Sequence, residues 1–235
     1  TNFPTRNAAQ ASLSGNRDGF VLKLSPAGDG LAFSTYIGGS QSETVNAIAL
    51  SGSSVWVGGD TTSTNLPSAT GWQNVNRGMQ DGFLARFSDS GALQAASYLG
   101  GNGDDTVRAV AVDGAGNVYA GGGTTSTDLS VPAGAAQGGL RGGQDGFLMK
   151  LDSSGLQRLA GTYLGGSRGD WSSVEMVMAV AVDAQQNVYA AGSTPSGDFP
   201  TPSAWIGTLS GLQDGFLVKV NASFATVAWG TFLGG

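Results

Sequence analysis

Four short stretches of the chain alternate apolar and other residues in a period of two: Val21-Leu22-Lys23-Leu24, Leu84-Ala85-Arg86-Phe87, Leu148-Met149-Lys150-Leu151 and Leu217-Val218-Lys219-Val220. Each follows the tripeptide Asp-Gly-Phe, at Asp18-Gly19-Phe20, Asp81-Gly82-Phe83, Asp145-Gly146-Phe147 and Asp214-Gly215-Phe216, and each carries a cation at the same place. A period of two predicts strands, because successive side chains leave a strand on opposite faces. About fifteen residues further on, an aromatic residue leads into a glycine pair: Tyr36-Ile37-Gly38-Gly39, Tyr98-Leu99-Gly100-Gly101, Tyr163-Leu164-Gly165-Gly166 and Phe232-Leu233-Gly234-Gly235. A second pair of predicted strands occurs three times: Ala47–Leu50 with Val55–Val57, Ala109–Val112 with Asn117–Ala120, and Ala179–Val182 with Asn187–Ala190. Their turns, Asp113–Asn117 and Asp183–Asn187, carry Asp and Asn where a short connection favours Asx turns and left-handed residues. No segment sustains a helical period.

The unit that recurs is therefore four strands: A (Ala-Val-Ala-Val), B (Asn-Val-Tyr-Ala), C (after Asp-Gly-Phe) and D (ending in Gly-Gly). The Asp-Gly-Phe spacings of 63, 64 and 69 set its length. Four-stranded repeats of this kind predict an all-β fold, a β-propeller of about four blades in one domain over residues 1–235. Strand A, rich in Ala and Val, suits the crowded centre. The boundaries fall at an outer half-blade over 1–39 and blades over 40–101, 102–166 and 167–235. The first unit has C and D alone, so the count is 14 strands where four blades need 16. An incomplete blade presents an edge to which a strand of another molecule can add, and a head-to-tail contact that does not close on itself builds a filament.

Taken in order, these motifs resemble those of the bacterial β-propeller repeat proteins: Asp-Gly-Phe, aromatic-Leu-Gly-Gly, Ala-Val-Ala-Val-Asp, Gly-Asn-Val-Tyr and Thr-Ser-x-Asp-Phe-Pro. The last element stands here as Thr62–Pro67, Thr125–Leu129 and Gly197–Pro200, with Thr1-Asn2-Phe3-Pro4 as its tail. The resemblance spans nearly the whole chain. It implies a propeller, commonly of seven blades in that family, on a secreted or surface-exposed bacterial protein.

Composition narrows the chemistry. Forty Gly alongside 40% apolar residues fit short strands joined by tight turns, and the Val, Leu and aromatic content separates the chain from disordered Gly-rich sequences. Eleven basic against 17 acidic residues leave a charge of −6 without a basic cluster, so nucleic acid and anionic lipid are not expected partners. No apolar run is long enough for a membrane helix, so membrane insertion is not expected either. Without His or Cys the chain has no Ser-His-Asp or Cys-His nucleophile and no His or Cys metal ligand. Paired carboxylates are the catalytic device left, with Glu43 and Glu175 the two Glu residues and Asp104, Asp105 and Asp170 outside the repeat turns. The chain thus reads as non-enzymatic and needing no cofactor, an extracellular structural or adhesive subunit that associates with itself or other surface proteins.

The alternative is a carbohydrate- or protein-binding module within a longer surface protein, with Trp72, Trp171 and Trp205 as aromatic platforms outside the core strands. Asp104 and Asp105, with Glu43 and Asp170, are candidate Ca²⁺ ligands if the loops bring them together. Asn221-Ala222-Ser223 is a glycosylation sequon, and Thr61–Thr64 and Thr124–Thr127 are candidate O-glycan carriers. Arg168-Gly169-Asp170 is more simply a solvated turn than an integrin-type ligand. Asp18, Asp81, Asp145 and Asp214 are expected to cap turns, with the next Gly at positive φ and Phe20, Phe83, Phe147 and Phe216 in the core between blades.

Overall fold

A computed structural model describes residues 3–168 and 174–235. Among these residues are 14 strands in four antiparallel sheets. The first sheet is β1 (Gly19–Leu24) with β2 (Leu31–Ile37). The second runs β3 (Glu43–Ser51), β4 (Ser54–Thr61), β5 (Asp81–Ser88), β6 (Leu93–Leu99). The third runs β7 (Asp105–Val112), β8 (Val118–Thr124), β9 (Asp145–Leu151), β10 (Arg158–Leu164), and the fourth β11 (Met176–Val182), β12 (Val188–Thr194), β13 (Asp214–Val220), β14 (Val227–Leu233). Each four-stranded sheet is a meander in sequence order, so A, B, C and D of the sequence repeat lie side by side from inner to outer strand. The described residues form an all-β, propeller-like arc of three four-stranded blades and a two-stranded half-blade.

The core lies between neighbouring sheets. In β5, Phe83, Ala85 and Phe87 face back onto Val21, Phe33 and Ile37 of the half-blade, while Leu84 faces forward with Trp56 and Leu99 onto the next blade. In β9, Phe147, Met149 and Leu151 face back and Leu148 faces forward; in β13, Phe216, Val218 and Val220 face back. Unlike a half-solvated strand, these alternate between two buried faces, which explains why the segments are apolar at almost every position. The cation of each C strand reaches out to the neighbouring blade or covers an aromatic ring of strand B: Lys23 pairs with Asp89, Arg86 donates to the Ser153 carbonyl at 2.7 Å, and Lys150 and Lys219 lie over Tyr119 and Tyr189.

The inner strands β3, β7 and β11 pack successively on one another. Each carries a register shift, between Val45 and Ala47, Val107 and Ala109, and Val177 and Ala179, and the residue skipped is Asn46, Arg108 or Met178. A bulge at this place bends the innermost strand where the blades converge.

Two expectations from sequence need correction. Gly19, Gly82, Gly146 and Gly215 do not take positive φ. The three that face a following blade are required by close approach: a Cβ on Gly82 would sit 2.8 Å from the Leu99 carbonyl and 3.0 Å from Val107, and Gly19 and Gly146 meet Val45 and Val177 likewise. The second correction is Phe20. Its equivalents Phe83, Phe147 and Phe216 are buried, whereas Phe20 is 54% exposed, because among the described residues no blade lies behind the half-blade; Phe3 leans on it, with ring centroids 4.9 Å apart.

Truncating Phe147 to Ala should therefore cost about 3–5 kcal/mol, the range for a fully buried aromatic, while Phe20→Ala should cost under about 1 kcal/mol. Urea denaturation of both variants checks the contrast, and equal losses would contradict the placement of Phe20.

Candidate functional site

The site is where the half-blade lacks its inner strands. In complete blades strand C is paired on both sides, with B along one edge and D along the other. β1 occupies the C place, and its one strand partner among the described residues is β2. Beside its free edge opens a groove lined by Phe20, Leu22, Val45, Ala47, Ile48 and Val57, with Arg17, Asp18 and Glu43 at one end. Its lining is predominantly apolar. Ile48 and Leu50 on β3 are exposed here, while Val110 and Val180, which hold the equivalent place on the next two inner strands, pack on Gly58 and Gly121 of the preceding blade. The groove is the seat that strands A and B occupy elsewhere.

The mouth of the groove is set by a device repeated at every blade. Asp18 accepts from the backbone N–H groups of Ser14 and Gly15 and from the Gln10 amide. Asp81 accepts from Arg77 and Gly78 N–H and Gln73 Nε2, and Asp145 from Arg141 and Gly142 N–H and Gln137 Nε2. Asp214 accepts from Ser210 N–H at 2.8 Å. These carboxylates hold the B–C loops onto the start of strand C.

A second acid opens each inner strand and ties it to the preceding blade. Glu43 accepts from Gly39 N–H at 2.8 Å and from the Thr61 hydroxyl at 2.6 Å. Glu175 accepts from Gly166 N–H, Ser196 and Thr194. Asp105 stands in the same place, accepting from Gly101 N–H and Ser126. Asp105 is thus a repeat position after all, hidden because its equivalents are Glu. One methylene shorter, it leaves Oδ1 buried without a hydrogen-bond partner.

The structure brings no calcium cage together: among the described residues no three acids group to hold a metal ion. Glu43 and Asp105 belong to successive junctions, Asp104 lies beside Asp105 with its backbone bonded to the Thr125 strand end, and Asp170 falls outside the described residues. Glu43 and Glu175 are held by the donors named above, as is Asp105 except at its buried Oδ1.

The aromatic candidates separate. Trp72 is half-buried, its N–H bonded to the Gly155 carbonyl of the next blade and its ring covered by Arg158 at 5.5 Å. Trp205 is 83% exposed on the last blade. Trp171 lies outside the described residues, as do Gly169 and Asp170 of the tripeptide that Arg168 begins. Asn221 uses its side-chain oxygen to accept from Ala225 and Thr226 N–H, closing the C–D turn. In the threonine-rich segments Thr61, Ser63, Thr124 and Ser126 are buried in the junctions, which removes them as glycan carriers; Thr64 and Thr127 are exposed. What sequence reasoning missed is the apolar wall of the groove, since Ile48 and Leu50 read as ordinary core residues until the absent neighbour is located.

Residues 96–130, from strand D of the second sheet across strands A and B of the third, match a family model described as SBBP, beta-propeller repeat. No curated protein matches the chain.

Burial pushes Asp81 up to about 6 and also raises Asp105, Asp145 and Glu175. Acids whose folded pKa is raised bind protons more tightly in the native state, so their contribution to stability is full below about pH 4 and is lost as pH rises through the folded pKa. Asp113, Asp152 and Asp198 are lowered, the first two by hydrogen bonds to side chains and turn amides that outweigh burial and the third chiefly by the Ser167 N–H, and they lose stability below about pH 4. The melting temperature should accordingly rise on acidification from pH 7 to 5, fall again below about 4, and change less between 7 and 5 in Asp81→Asn; calorimetry across this range measures it. Replacing Asp105 by Glu should let the carboxylate reach Thr124 as Glu43 reaches Thr61, raising stability by about 1 kcal/mol in urea denaturation.

Proposed function

We propose that the chain, whose residues 96–130 match a beta-propeller repeat model, serves as a non-enzymatic structural or adhesive subunit at the bacterial cell surface, its incomplete blade finished by a β-hairpin from another repeat. The observation that carries this is the free edge of β1 beside an apolar groove. A strand edge with unpaired N–H and C=O groups takes up another strand through main-chain hydrogen bonds, and the alternate side chains select which one.

The complete blades supply the register. Their B strands end with Thr opposite the Asp of strand C, at Thr61 with Asp81, Thr124 with Asp145 and Thr194 with Asp214. They place an aromatic residue opposite the cation, at Trp56 with Arg86, Tyr119 with Lys150 and Tyr189 with Lys219. A donated strand in this register sets Thr against Asp18, an aromatic ring against Lys23 and a small residue against Val21, while its A partner covers Ile48 and Leu50. The amide and hydroxyl donors that close the junction carboxylates, the buried Oδ1 of Asp105 excepted, support the non-enzymatic part of the reading.

A synthetic peptide of residues 105–124, the A–B hairpin of the third sheet, should bind the 235-residue chain and slow hydrogen exchange at the β1 amides, while a peptide with Thr124 and Tyr119 exchanged for Asp should not. Exchange at β1 unchanged at millimolar peptide would sink the proposal.

A further inference from the structure

We infer that the outer face of the last blade docks onto the outer face of the half-blade of a second copy of this chain, so that copies join head to tail by repeating the interface found between their own blades. The inference deepens the reading of the chain as an assembling subunit, and it concerns the sheet faces, not the free edge of β1.

The internal junctions define what each face needs. The forward face of a blade presents an aromatic residue of strand B, a Leu of strand C and a Leu of strand D: Trp56, Leu84 and Leu99 in the second sheet, Tyr119, Leu148 and Leu164 in the third. The backward face presents Phe147, Met149, Leu151 and Tyr163, or Phe216, Val218, Val220 and Phe232. In the fourth sheet the forward set is Tyr189, Leu217 and Leu233; Leu233 is exposed and the other two are half-buried. In the half-blade the backward set is Phe20, Leu22, Leu24 and Tyr36, the first three exposed. The chain therefore carries both halves of one interface, covered in part only: Phe3 lies against Phe20 and Tyr36 on the half-blade, where Leu22 and Leu24 stay exposed, and Leu233 stays exposed on the last blade.

Two finer features match across the gap. At the two junctions between complete blades the residue preceding the loop Gln donates its N–H to the next blade's C–D turn: Trp72 to the Gly155 carbonyl at 3.0 Å and Ala136 to the Phe224 carbonyl at 2.8 Å. Trp205 holds that place in the last blade, one residue before Ile206, whose N–H meets Thr231 as Gln73 meets Ser97 and Gln137 meets Thr162. The turn itself also seeks a ring: a Cβ on Gly155 would lie 2.9 Å from Trp56, and Phe224 packs 6.3 Å from Tyr119. Gly28 occupies this place in the half-blade, at φ +75° like Gly155 at +76°, and meets nothing within 4 Å. The Gly28 turn of one copy is the counterpart of Tyr189 and Trp205 of the next.

Such a contact is heterologous: it consumes one face of each kind and leaves one of each, so it propagates until a ring closes or a filament grows. Light scattering of the chain should give a mass that rises with concentration. Leu24→Glu, which places a charge on the half-blade face, and Trp205→Glu with Leu233→Glu, which does so on the last blade, should each give a monomer with an unchanged circular dichroism spectrum, all three residues being exposed. Mixed one to one, the two variants should form a particle of about twice the chain mass and nothing larger, because one intact face of each kind remains. A chain that is monomeric at all concentrations, or a mixture that stays monomeric, overturns the inference. If the 105–124 peptide still protects β1 in that case, the hairpin-accepting reading stands without it; if neither is seen, both fall.

Discussion

Packing between blades is the interaction on which the rest of this molecule depends. No single sheet has a core of its own: the apolar side chains of strand C go to both faces, Phe83 one way and Leu84 the other, Phe147 one way and Leu148 the other. A sheet so patterned is stable only when flanked, since leaving either face in water forfeits about 25 cal/mol for each Å² of apolar surface that would have been buried. The two faces are not alike, one carrying large rings and the other Leu and an aromatic from strand B, and so the blades stack in one direction only.

The polar junctions follow from the same requirement. Bringing the end of one blade's D strand against the start of the next blade's A strand buries backbone N–H groups at Gly39, Gly101 and Gly166, and these need acceptors in a place without water. Glu43, Asp105 and Glu175 supply them, held in turn by Thr and Ser from the end of strand B. The raised pKa of Asp105 and of Glu175 is the desolvation cost of that arrangement, and the conversation between blades is therefore both apolar in the middle and ionisable at the rim.

Much of the fold was legible because the repeat is literal. The positions of all 14 strands follow from recurring dipeptides and period-two alternation, and the missing A–B pair is visible by counting. The tertiary reasons were not legible. The glycine of Asp-Gly-Phe suggests a left-handed turn by analogy with other glycines, whereas its cause is a valine from the neighbouring blade. Asp105 resisted alignment because Glu fills its place in the other junctions. Trp72 and Trp205 are the same position in the repeat, yet one is covered and the other exposed, because among the described residues a blade follows the first and none follows the second. Exposure of a repeated residue is a property of its neighbours in the array, which no local pattern records.

The nearest-neighbour arrangement also grades stability along the arc. When units interact only with those beside them, total stability approaches a sum of unit and interface contributions, as in a one-dimensional lattice. The third sheet is held by an interface on each side, but the half-blade of β1 and β2 by a single one, and with two strands in place of four it has the least to lose by detaching. Unfolding of the isolated arc is thus biased to begin at the N-terminal end and travel inward, with the sheet of β7 to β10 the last to yield.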